Sequence, residues 1–360
     1  MVLIRIVQLQ LRTIQGMRNK MNKVFYLILI SLFSLTIISC AKKDDSSSIS
    51  NSTDNSSVTL NISSFVIDTT LAAGTITGGV LSQDNDSDLS GVSVSFEKSG
   101  TTVDTTTTDS SGDFSQILTL GTYTITYSKS GYLDEIQSVT LAADNQTLVA
   151  STLKMLPDSC TSGTISGTIK DAVNNNPVTG VSLSVRRGVN VTTGTIAKSD
   201  TTSNTGTYSL SSMSAGWYTV ETSKSGYITS TFKVYACGDI SGQNTSISTT
   251  LDPGAMRIVL SWKTTDDFDA HLTGPDNLSR QGHSNAAHEQ FHVWWDEGDY
   301  FYYATNNFSC SGCSVSQISD NVSLDLDSGD GKNIGPETIT IAAVRSGAYR
   351  YYVHNFDEAG

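Results

Sequence analysis

The 360-residue sequence contains no Gly-rich phosphate loop, no nucleophile elbow and no kinase signature, and its abundant serines and threonines have no positioned base beside them. These absences exclude the phosphoryl- and acyl-transfer classes that carry such motifs, and no catalytic residue is assigned. No stretch shows a helical period, which argues against an α or α/β architecture. No basic run is present either, so a nucleic-acid partner is not expected. The one long apolar run, Phe25 to Ile38, is too short to span a bilayer and stay there.

That run sits in a recognisable setting. From Met17 or Met21 the chain reads as an export signal, with Arg18, Lys20 and Lys23 as the charged region ahead of the apolar one. Residues 1–16 then lie upstream of a complete signal. Ile37, Ile38 and Ser39 precede Cys40 as in a lipoprotein lipobox, so residues 1–39 are expected to be removed and Cys40 to be lipidated. Two or three acyl chains hold a protein at a membrane stably, which makes the membrane the first expected partner and the bacterial envelope the expected address, with the outer membrane or cell surface favoured. Residues 40–58 are nearly all Lys, Asp, Ser, Asn and Thr, too polar to offset the entropy of ordering them, and read as a flexible tether. Loss of the signal leaves 17 basic against 35 acidic residues, a net charge of −18. Such a surface attracts cations and repels polyanions.

With Cys40 acylated, four cysteines remain, an even number in an exported chain. Cys160–Cys237 and Cys310–Cys313 are the simplest disulfides. The second pair is read as a structural clip, with half of a zinc or redox site as the alternative.

The middle of the chain is a tandem repeat. Ser128–Tyr132 and Ser223–Tyr227 both read Ser-Lys-Ser-Gly-Tyr, and Gly74–Gly78, Gly91–Ser93 and Gly121–Tyr123 recur as Gly163–Gly167, Gly180–Ser182 and Gly216–Tyr218. The offset grows from 89 to 95, so the second copy carries a longer loop around Val189 to Thr205. Val92, Val94 and Phe96 alternate with serines, and Tyr123, Ile125 and Tyr127 with threonines, the period of half-buried strands. With Gly- and Asn-rich turns between the runs, each copy is expected to be a β-sandwich. The ordered elements Gly-Thr-Ile-x-Gly, Gly-Val-x-Val, Gly-x-Tyr and Lys-x-Gly-Tyr resemble the carboxypeptidase regulatory-like domain, a prealbumin-like sandwich related to starch-binding-like folds. The resemblance implies spacer, accessory or carbohydrate-binding roles. The collagen-adhesin B-type stalk domain is the runner-up.

The region from Met256 onward holds all five histidines and three of the four tryptophans. Strands are expected at Arg257–Trp262, Phe291–Trp295, Thr338–Val344 and Tyr349–His354. The segments Ile258–Trp262, Asp267–Pro275, Phe291–Val293, Leu324–Asp327, Gly335–Ile341 and Tyr351–Asn355 are similar to the YfaP-like family of secreted β-sandwich domains. This chain departs from it in the insert Ser328–Ile334 and in ending at Gly360, where the family continues into a further strand. The organisation expected is therefore all-β: signal 1–39, tether 40–58, and sandwiches at 59–156, 157–254 and 255–360.

Three constellations could carry chemistry. His288-Glu289-Gln290-Phe291-His292 spells His-Glu-x-x-His, which binds zinc only on a helix, where both histidines share a face. Val293, Trp294 and Trp295 favour a strand instead. Asp269 and His271, two apart, share a strand face, and so would Asp325 and Asp327; with His292 and His354 they are candidate ligands for a divalent cation, calcium or zinc. Trp294, Trp295 and Tyr302 are candidates for stacking against a sugar. The functional expectation is a non-enzymatic binding or adhesion module, with carbohydrate, or a surface protein, as ligand. The alternatives are a zinc hydrolase using His288, Glu289 and His292, and a purely structural spacer.

Overall fold

A computed structural model describes residues 71–262, 267–275, 290–303, 310–328 and 336–356. Cys40, the tether, His283, His288 and Glu289 lie outside them. The fold is almost entirely β. The first segment contributes β1 (Ala73–Ser82), β2 (Ser93–Lys98), β3 (Thr101–Thr107), β4 (Asp113–Thr119), β5 (Gly121–Ser128), β6 (Glu135–Leu141), β7 (Thr147–Val149) and β8 (Leu153–Met155). One sheet runs β3-β2-β5-β6, and β4, β7 and β8 pair with β1 in the other.

The second segment repeats this plan. It comprises β9 (Gly163–Asp171), β10 (Ser182–Arg187), β11 (Lys198–Thr201), β12 (Thr207–Met213), β13 (Gly216–Ser223), β14 (Ser230–Ala236) and β15 (Thr245–Ile247), in sheets β11-β10-β13-β14 and β12-β9-β15. The alternation read from the sequence fills the cores. Val92, Val94, Phe96 and Ile125 are fully buried, and their counterparts Val181, Leu183, Val185 and Val220 line the second core. The recurring Ser-Lys-Ser-Gly-Tyr is the same corner in both: Tyr132 N–H donates to the Lys129 carbonyl and Tyr227 N–H to the Lys224 carbonyl, each at 3.1 Å.

A second recurring corner needs glycine. Gly112 has φ +73°, and a Cβ there would lie 2.6 Å from the Val80 carbonyl; its counterpart Gly206 has φ +69° and faces the Ile169 carbonyl at 2.7 Å. A side chain there meets both a disfavoured backbone region and fixed main-chain atoms. Gly112→Ala is expected to cost about 1–3 kcal/mol in a denaturant titration.

The two sandwiches interlock. Val189, just past β10, is 2% exposed and belongs to the hydrophobic core of the first segment. Its N–H donates to the Ile136 carbonyl at 2.8 Å, and its carbonyl accepts from Ser138 N–H at 2.9 Å. Trp217 Nε1–H reaches the Lys154 carbonyl at 2.6 Å. The wholly buried Glu135 accepts from Trp217 N–H at 3.2 Å and pairs with Arg187 at 3.3 Å. The start of the longer loop in the second copy is thus used as a joint.

The third segment comprises β16 (Met256–Leu260), β17 (Phe268–Pro275), β18 (Gln290–Val293), β19 (Asp299–Phe301), the single-turn α1 (Val315–Ile318), β20 (Asn321–Leu326), β21 (Glu337–Ile341) and β22 (Arg350–Asn355). Sheet β16-β21-β20-β19 and sheet β18-β17-β22 enclose a core of Ala270, Leu272, Phe291, Val293, Val322 and Ile339, among others. Arg257 Nη1 donates to Ser248 Oγ at 2.8 Å, and Thr338 Oγ1 donates to the Ala172 carbonyl, which seats this segment on the second.

A histidine, aspartate and aromatic face on the third segment

Along β17 alternate side chains part company. Ala270 and Leu272 enter the core, which turns Asp269, His271 and Thr273 to the opposite face of the sheet. The antiparallel register then sets their neighbours: Asp269 lies opposite His354 and His271 opposite Tyr352 on β22, while Thr273 lies opposite His292 on β18. Directly opposed residues approach to about 5 Å between Cβ atoms, so five polar side chains and a tyrosine meet on one face.

The contacts bear this out. His271 Nδ1 lies 2.9 Å from His292 Nε2, which is also 3.1 Å from the Tyr352 hydroxyl. The His271 ring stacks on His292, Trp294 and Tyr352 with centroids 4.6–5.4 Å apart. Trp294 and His292 are nearly coplanar in orientation, 2° apart. His354 Nδ1 stands 3.6 Å from Asp269 Oδ2. Asp269 and His271 are 4% and 6% exposed; Asp269 Oδ2 and His271 Nε2 find no hydrogen-bond partner among the described residues. Asp269, His271 and His354 each present a ligand atom within 4.8 Å of the others.

The electrostatics follow from that crowding. Burial, helped by His292 and His354, pushes His271 down to about 4, so the ring is neutral at pH 7. Burial also lowers His292, against the pull of Glu297. Asp269 is raised, first by burial and then by the Asp267 and Asp327 charges, although His354 opposes this. Nearby Glu337, 1% exposed and accepting from Ala270 N–H at 2.6 Å, is pushed up to about 8 by burial, with Asp327 and Asp269 adding to it.

The candidates read from sequence are placed as follows. Asp269, His271 and His292 come together, and His354 joins them. Asp325 stands apart: the β20–β21 register shifts between Leu324 and Leu326, so the expected shared face with Asp327 is broken by a bulge. Asp325 accepts from Ser323 Oγ at 2.6 Å and from Thr340 Oγ1, and pairs with Arg257 at 3.6 Å. Asp327 lies beyond the end of β20, among the acids around Asp269 and Glu337.

His292 occupies strand β18, so the helix that a His-Glu-x-x-His site requires is not formed over Gln290–His292; His288 and Glu289 are outside the described residues. Tyr302 does not face solvent. It is 1% exposed, packed in the core with the Arg345 guanidinium 3.7 Å above its ring. Trp294 is half-buried in the histidine stack, and Trp295 is 46% exposed at its edge, with ring centroids 5.2 Å apart. Trp217 and Tyr218 serve packing at the joint and in the second core. Both expected disulfides are formed, Cys160–Cys237 and Cys310–Cys313, the latter just ahead of the Ser314 cap of α1.

Comparison with known proteins agrees with the repeat. The carboxypeptidase regulatory-like domain matches residues 75–154 and again 164–252. Among solved structures, the chain is similar to the Bacillus anthracis TIE protein, with 14% identity, 64% of this chain and 44% of that one covered, and a TM-score of 0.22. It is similar also to a Streptococcal ancillary pilin (17% identity, 51% and 64% covered, TM-score 0.21) and to the shaft pilin SpaA of Lactobacillus rhamnosus GG (15%, 50% and 98%, 0.21). The chain therefore spans less than two thirds of the length of the first two. No curated protein matches it.

Proposed function

We propose that this chain, whose middle is two tandem carboxypeptidase regulatory-like domains, is an exported, lipid-anchored, non-enzymatic binding module that presents a YfaP-like third domain to carbohydrate. Lipidation at Cys40 and the tether hold it to the membrane. The interlocked repeats act as a stiff spacer, because relative motion would have to withdraw Val189 from the first core and expose Glu135. What carries the binding reading is the outer face of β18-β17-β22, where Tyr352, 40% exposed, stacks on His271 beside His292 and Trp294, and Trp295, 46% exposed, packs edge-on against Trp294. Flat, exposed rings beside polar donors suit the apolar and hydroxyl faces of a sugar.

A glycan array followed by calorimetry on the full chain tests this. Trp295→Ala is expected to lower affinity for the best glycan by about 2 kcal/mol, roughly thirtyfold, as for a binding hot spot. An empty array, or a glycan bound equally well by Trp295→Ala, defeats the reading. The spacer reading would then stand alone, supported by the joint between the repeats.

A further inference from the structure

We infer that Asp269, His271 and His354 form a binding site for a divalent transition-metal cation of the zinc class, with His292 and Tyr352 as its hydrogen-bonded support. Three strands deliver these groups to one face by register, and the three ligand atoms already lie within 4.8 Å of one another. Zinc bonds to imidazole nitrogen and carboxylate oxygen of about 2.0–2.2 Å set tetrahedral ligand atoms roughly 3.4 Å apart. His354 Nδ1 and Asp269 Oδ2 stand at 3.6 Å, and the half-exposed His354 side chain is free to close the remainder.

Two further observations point to a cation. Asp269 Oδ2, 3.6 Å from His354 Nδ1, and His271 Nε2 are buried atoms with no hydrogen bond among the described residues, the condition that carries a cost unless something binds there. In the tautomer in which His271 Nδ1–H donates to His292 Nε2, the His271 lone pair lies on Nε2, on the ring edge away from His292. Metal-bound histidines are oriented in this way by an acceptor on their other nitrogen. Two imidazoles with one carboxylate favour zinc and its neighbours over calcium, which takes oxygen ligands. Three protein ligands leave a fourth position for water or a ligand atom. The inference does not rest on carbohydrate binding.

The test uses the full chain, stripped with chelator, titrated with Zn²⁺ by calorimetry and assayed for metal content. One zinc per chain is expected. Asp269→Asn, which preserves shape, and His354→Ala, at an exposed position, should each weaken binding by more than about a hundredfold, and His292→Phe by about 10–100-fold. Cobalt in place of zinc should give visible absorption bands that vanish in the first two variants, while circular dichroism reports that they remain folded. Substoichiometric zinc, unchanged affinity in folded Asp269→Asn and His354→Ala, or loss of metal only on His288→Ala would each overturn the site. A chain that binds zinc but no glycan upholds the metal site and defeats only the carbohydrate reading.

Discussion

Replacing Cys160 and Cys237 together by serine is expected to lower the stability of the second sandwich by about 4 kcal/mol, within the 2–5 range for native bridges in small exported domains. The bond links residues 77 apart, from just before β9 to just after β14. Chain-entropy arithmetic for a closed loop of that length gives about 4.5 kcal/mol, because the cross-link removes most of the freedom of the unfolded segment. In the folded state the bridge sits where Gly238 N–H donates to the Thr161 carbonyl at 2.7 Å and Thr164 N–H to Asp239 Oδ1 at 2.7 Å. Losing it frees a strand junction as well as the unfolded chain. A urea titration of wild type with and without reductant, beside the double variant, measures this. Wild type and the double variant should coincide when both are reduced, and a double variant with the unreduced wild-type midpoint would refute the argument. The Cys310–Cys313 bridge closes a far shorter loop and contributes less.

How much of this was legible in the sequence depends on the range of the interaction. Alternation is local, so Val94, Phe96, Ile125 and Tyr127 could be assigned to a core, and strands near Arg257, Phe291, Thr338 and Tyr349 placed, from their immediate neighbours. The corner at Ser-Lys-Ser-Gly-Tyr was legible because it occurs twice. The joint was visible only as a change in repeat offset: nothing local in Val189 says that it will enter the core of the other sandwich. The histidine and aspartate face of the third segment shows the same limit. Asp269 and His271 share a face by spacing alone, but bringing His354 opposite Asp269 requires the register of β17 with β22, a pairing across 85 residues that no short pattern encodes. Asp325 was misplaced because a bulge adds one residue and breaks the period of two on which the shared face relied. Tyr302 looked available as part of an aromatic run, and is buried because Arg345, 43 residues on, covers its ring.

The second effect is expected at the joint, where Arg187→Ala should destabilise the interlocked sandwiches by up to about 1.4 kcal/mol more at pH 8 than at pH 5. Breaking a buried pair from one side leaves the other charge uncompensated, and Glu135 answers by keeping its proton to higher pH, which caps the pH-dependent cost. Glu135 is the charge at issue. Burial pushes it up to about 7 from its ordinary 4.5, and Asp134 adds to the rise, while Arg187 and Trp217 N–H oppose it. Because the folded value is the higher one, the folded state binds more protons than the unfolded between about 4.5 and about 7. The contribution of Glu135 is thus fully present below about 4.5 and declines by about 1.4 kcal/mol per pH unit until about 7. Removing Arg187 raises the folded value further and carries the decline to higher pH. At pH 5 the variant still loses the hydrogen bonds of Arg187 to the Ala215 and Asp134 carbonyls, at 2.8 and 3.2 Å, and the contact of its guanidinium with the Tyr218 ring at 5.4 Å. Glu135→Gln is the complementary change: it keeps an acceptor for Trp217 N–H, carries no charge, and should gain on wild type by about 1.4 kcal/mol per pH unit across that window. Subtracting the two profiles separates Glu135 from Glu337, which titrates in both chains. Hydrogen exchange at the Ser138 and Val189 amides, both bonded across the joint, reports its opening directly. Equal protection of those amides in Arg187→Ala at pH 5 and pH 8 would show that Glu135 is not the charge that governs the joint.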